Sequence, residues 1–126
     1  MIKSTYISNI LDLLLDGDDG TPLRKQKDFL TEADYRYTPY GLFVSFSHDN
    51  AIENYKAHKL DLILDGVLIR GNTIGHGTEA ILHFKSGLID YLEIWSPVDN
   101  YPDTEPTQYS LKQEWTGSPG REIIVE

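Results

Sequence analysis

The chain contains no cysteine. That excludes a secreted miniprotein stapled by disulfides, a cysteine nucleophile and a Cys-type zinc site. Long apolar runs are missing too. The stretch Ile10 to Leu15 is broken by Asp12 and followed by Asp16, Asp18 and Asp19, and nothing approaches the ~20 residues of a membrane-spanning helix. Met1 to Thr5 carry one lysine and no secretory pattern, so the expected location is the cytoplasm. Basic residues are scarce: 11 Lys and Arg stand against 20 Asp and Glu, giving a net charge of −9. Such a surface repels nucleic acid and anionic membranes and steers basic proteins toward it. Solubility alone also favours acidic surfaces.

Nucleophile and phosphate signatures are equally absent. There is no G-x-S-x-G. Ser45, Ser47, His48 and Asp49 follow one another along a strand end, where side chains diverge and do not converge as a triad must. Gly71 to Gly77 is glycine-rich but lacks the phosphate-loop lysine and the dinucleotide spacing. Pro102-Asp103 has no downstream acid-x-Lys of the nuclease type. The sequence implies no cofactor and no catalytic residue.

What is present is an ordinary globular composition, 40% hydrophobic and 25% charged over 126 residues. That makes one domain, residues 1–126, long enough to bury a core without metal or disulfide. Ile7, Ile10, Leu11 and Leu14 keep helical spacing and predict a helix over 4–15, capped by Ser4 or Thr5 and ended by the Asp/Gly-rich stretch 16–20. Residues 21–32 are mixed and leave helix and strand both open. Tyr35/Tyr37 and Leu42/Val44/Phe46 alternate on either side of Pro39-Tyr40-Gly41, which predicts a hairpin. Asn50 and Glu53 fit a capping box for a short helix over 50–59. In Leu60 to Arg70, Asp65-Gly66 is either a tight turn or a bulge within one strand. Glu79–Phe84 and Leu88–Trp95 pair across Lys85-Ser86-Gly87. The second of these has apolar residues on both faces, as a strand covered on both sides would. Tyr109–Leu111 and Glu122–Val125 complete the set, the last as an edge strand. The fold class is α+β: an antiparallel or mixed sheet of about five strands, with an N-terminal helix and one short helix packed on it.

Few constellations carry chemistry. Asp16, Asp18, Asp19 and Gly20 miss the calcium-loop pattern, which requires glycine at position 6 and glutamate at 12; these are Thr21 and Lys27. His76, Glu79 and His83 have a metal-like spacing, but on a strand Glu79 and His83 lie roughly 13 Å apart, too far for one ion. Asp90 and Glu93 differ by an odd offset, so plain alternation puts them on opposite faces. Glu93 shares its face with Tyr91 and Trp95, the setting of a general acid if buried, or of a structural ion pair.

The loop after that strand joins Trp95, Asp99, Tyr101, Asp103 and Glu105. Aromatic side chains supply much of the energy at protein contacts, and carboxylates around them select a basic partner. The alternative is a loop folded back so that Trp95 and Tyr101 cap the core. Gly87-Leu88-Ile89-Asp90-Tyr91-Leu92-Glu93-Ile94-Trp95, the following Tyr101-Pro102 and the earlier Leu64-Asp65-Gly66-Val67 resemble the late hairpin of small bacterial toxin immunity proteins, over about residues 60–102. The resemblance implies a cytoplasmic, non-enzymatic protein that binds and neutralises one cognate toxin, often a basic nuclease; it transfers no residue roles. Partner-binding is thus assigned to Trp95, Asp99, Tyr101, Asp103 and Glu105. Two other readings stand beside it. One is a small-molecule-binding protein or enzyme with Tyr35, Tyr37, His83, Glu93 and Trp95 around a pocket. The other is a homodimer joined at the C-terminal strand.

Overall fold

The computed structural model describes residues 1–17, 21–98 and 100–126. Asp18, Asp19 and Gly20 of the helix-end stretch and Asp99 of the aromatic loop lie outside the described residues.

The first helix, α1 (Thr5–Leu14), sits where the apolar spacing predicts. Ser4 is its cap: its hydroxyl accepts the amide of Ile7 at 3.1 Å, satisfying one of the donors a helix start leaves open. Ile7, Ile10, Leu11, Leu13 and Leu14 are all buried. The undecided stretch resolves into a short helix, α2 (Thr21–Gln26), a 3₁₀ turn (Lys27–Phe29) and the start of a strand at Leu30. The second predicted helix is a single 3₁₀ segment, Asn50–Tyr55. Asp49, not Asn50, caps it, accepting the Ala51 amide at 2.9 Å.

Among the described residues the sheet has seven strands where the sequence predicts about five: β1 (Leu30–Thr38), β2 (Gly41–His48), β3 (Ile63–Arg70), β4 (Glu79–Lys85), β5 (Leu88–Trp95), β6 (Tyr109–Gln113) and β7 (Glu122–Val125). Neighbouring strands pair antiparallel throughout, in the order β1-β2-β5-β4-β3-β6-β7. The β4–β5 hairpin turns on Ser86 and Gly87, both at positive φ (53° and 83°), the twist that suits a two-residue hairpin loop. Of the two readings of Asp65-Gly66, the bulge is found: the β3–β4 register shifts between Leu64 and Val67, and Gly66 has φ 92°.

α1 packs on β3, β4 and β6. Against it the sheet sends Val67 and Ile69, Ala80, Leu82 and Phe84, Leu92 and Ile94, and Leu111, all buried. Leu42 and Val44 of β2 extend this layer. The architecture therefore has two layers, with helices and one sheet face enclosing a single core.

Candidate functional site: the open face of the sheet

Residues that alternate with the core positions stand on the other face, on which no helix packs among the described residues. This corrects the expectation that β5 is covered on both sides. Its mixed faces have a different cause, since the second face holds aromatic and acidic residues in rows that the strand register dictates. One row runs Trp95 (β5), Glu79 (β4), Leu68 (β3), Lys112 (β6). The next runs Phe43 (β2), Glu93 (β5), Ile81 (β4). A third runs Ser45, Tyr91, His83, Ile63. Ile63 and Trp95 are 56% and 42% exposed, unusual for side chains of their size.

Within the rows, His83 stacks on Tyr91 with ring centroids 4.3 Å apart and 12° between planes. Its Nε2 lies 3.0 Å from Glu93 Oε1 and donates to it. The Phe43 and Tyr91 rings are 6.1 Å apart. Glu79 stands diagonal to Glu93 in the ladder, and Asp65 sits close by in the β3 bulge. Partial burial, then the charges of Asp65 and Glu93, push the Glu79 carboxyl above its usual range. Three acids thus gather beside the aromatic rows; Arg36 pairs with Phe43 in the Glu93 row, Lys112 ends the Glu79 row on β6, and Arg70 and Lys85 close β3 and β4.

A second bulge completes the face. The β4–β5 register shifts between His83 and Phe84 so that Tyr91 and Ile89 are consecutive partners, leaving Asp90 as the extra residue. Ile89 and Leu92 both point into the core despite their odd spacing. Asp90 therefore joins Tyr91 on the lining of the open-face cleft, and the expectation that Asp90 and Glu93 occupy opposite faces is corrected.

The residues assigned to partner binding do not form one surface. Trp95 belongs to the open face. Tyr101 is buried on the helical side, where its hydroxyl lies 3.0 Å from that of Tyr6 and its amide donates to Pro39 O. Burial pushes the Tyr101 phenol up to about 12. Glu105 and Asp103 are exposed on that same side, and Glu105 accepts from the Ser4 hydroxyl at the start of α1. Asp99 lies outside the described residues. The loop is thus folded back onto the core through Tyr101, but not through Trp95.

The pocket reading is divided in the same way. Tyr35 and Tyr37 pair with Val44 and Leu42 on the helical side, while His83, Glu93 and Trp95 stand on the open side with the sheet between the two sets. His76 lies in the loop before β4, and among the described residues no three His, Asp or Glu groups converge to hold a metal ion.

No family model, curated protein or solved structure matches the chain. Its functional reading therefore rests on the residues of this face. Sequence reasoning missed Phe43, Asp65, Glu79 and Asp90 as members of one site. Phe43 and Glu79 had a legible signal in strand alternation; Asp65 and Asp90 sit in bulges, which break the alternation.

Proposed function

We propose that the protein is a non-catalytic binding module whose open sheet face docks a basic protein. The observation that carries this reading is an uncovered face on which Phe43, Tyr91 and Trp95 of β2 and β5 border Glu93, Glu79 and Asp65, with the Glu79 carboxyl raised by partial burial and then by its acidic neighbours. Crowding like charges on a partly buried carboxyl costs stability. A cationic partner reverses that cost, and the aromatics supply the contact energy. The net charge of −9 adds long-range steering.

The partner we propose is a toxin domain that the protein neutralises, such as a basic nuclease. The resemblance of residues 60–102 to immunity proteins supports it, as does the acidic balance of the chain. β3 to β5 of the open face lie within that span.

The test is capture of proteins encoded beside this one, at low and at high salt, on wild type and on a Glu79→Lys/Glu93→Lys variant. The reading expects a basic protein held at low salt, released at high salt and not held by the variant. Equal retention by wild type and variant would overturn the docking face. Retention indifferent to salt would overturn its electrostatic part.

A further inference from the structure

At the β1–β2–β5 end of the open face lies a cleft of about 280 Å³ lined by Asp34, Arg36, Phe43, Ser45, Asp90 and Tyr91. Its cause is local. Ser45 pairs with Tyr91 and with Asp34, so a small side chain sits between a large ring and the edge strand, leaving a gap. Tyr91 is held upright from behind by the stacked His83 ring. Phe43, one row on, makes the second ring. The bulge brings the Asp90 carboxylate to the lip beside Tyr91, and Asp34 faces it from β1, itself just past a register shift at Glu32/Asp34.

The chain already shows what this lining favours. The Arg36 guanidinium lies over the Phe43 ring, 4.6 Å from its centroid. A planar cation on an aromatic face gains from the ring's negative face. With one Arg36 against two carboxylates, the cleft keeps one unmatched negative charge. A guanidinium fits that remainder in shape as well as sign: it can lie flat on a ring while its N–H groups fork onto a carboxylate.

From this we infer that the cleft is a receptor for one arginine side chain of the basic partner, stacked on Tyr91 and held between Asp90 and Asp34. The inference rests on the docking reading above and adds to it the chemical identity of one contact. Lysine satisfies the charge but neither the stacking nor the fork, so the cleft discriminates between the two cations.

The test uses the whole chain and a defined probe, N-acetyl-arginine amide, followed by two-dimensional NMR of the backbone amides. The expected result is saturable shifts centred on Ser45, Asp90 and Tyr91 at millimolar probe. The lysine analogue should bind several-fold more weakly, and the neutral citrulline analogue should leave the spectrum unchanged. Asp34→Asn/Asp90→Asn should weaken the arginine probe by about tenfold, with the remaining resonances reporting that the variant is folded. Shifts of equal size from arginine and lysine, shifts spread over all acidic positions, or no shifts would each overturn the inference. The docking reading is scored separately by the emission of Trp95 with the basic partner. If Trp95 responds while the cleft ignores arginine, the arginine receptor alone falls; if Trp95 is silent with partner bound, the docking reading falls with it.

Discussion

Gly41 opens β2 at φ 152°, and a Cβ built there would sit 1.8 Å from the carbonyl oxygen of Ile94 on the neighbouring strand. That neighbour is backbone in a paired ladder and has nowhere to go. Gly41→Ala should therefore cost on the order of 2–4 kcal/mol, read as a lower urea midpoint. Gln26 is another single residue on which several groups depend. Fully buried, it donates to Tyr55 O and Gly87 O and accepts from Ile89 N, at 2.8 to 2.9 Å. Gln26→Leu keeps the bulk but strips Tyr55 O and Ile89 N of this partner, while Gly87 O keeps the Ala57 amide at 2.8 Å; a loss of roughly 3 kcal/mol follows from desolvation penalties of about 1–3 kcal/mol each. Glu79 has the opposite sign. Its folded carboxyl titrates above the unfolded one, so the native state holds the proton more tightly, and stability falls as pH rises from about 4.5 through the raised value. Glu79→Gln should thus melt higher than wild type at pH 7, with no such gain well below pH 4.5, while binding the basic partner more weakly. A side chain that lowers stability yet strengthens binding is one kept for function. Asp16 is the reverse case. Burial raises its carboxyl, but hydrogen bonds from Gln113 and Arg121 and the charges of Arg121 and Arg24 outweigh that and hold it low. Its contribution is present above the unfolded carboxyl value and is lost as pH falls through the folded one. Asp16→Asn should flatten the acid limb of a stability-against-pH curve.

At the scale of elements, α1 illustrates how a cap and a tether combine. Ser4 accepts the Ile7 amide and also donates to Glu105, while Glu32 accepts the amides of Lys3 and Ser4 at 2.9 and 2.8 Å. Ser4→Ala should cost ~1 kcal/mol by thermal melting, the usual worth of a lost cap. The helix was legible because Ile7, Ile10, Leu11 and Leu14 repeat at its period, and the hairpins because turn residues separate alternating runs. Gln26 carried no such signal: its value lies in three backbone groups brought together from Tyr55, Gly87 and Ile89, distant in sequence. Strand faces were legible only up to a bulge. One extra residue reverses the side on which every later side chain emerges. The shift at Asp90 therefore hid a carboxylate of the open face, and the one at Asp65-Gly66 hid another. Tyr101 and Trp95, six positions apart, looked like one contact surface. Tyr101 is buried against Tyr6, whereas Trp95, at the end of β5, is 42% exposed.

For the molecule as a whole, the design is a sheet of seven strands covered on one side. The core lies on the helical side, and the open side carries side chains that are half-buried or exposed. Aromatics and acids gathered there, in a chain of charge −9, are what the proposed docking of a basic protein rests on. Association should slow steeply as ionic strength rises, because the Debye length falls from about 10 Å at 0.1 M to about 3 Å at 1 M. The measurement that tests the docking face most directly uses Trp95 as its reporter. The chain has two tryptophans, so Trp115→Phe leaves Trp95 as the single emitter on the open face. The account predicts that adding the captured basic partner shifts its emission to the blue and shields it from acrylamide. Bound partner with Trp95 emission and quenching unchanged would contradict it.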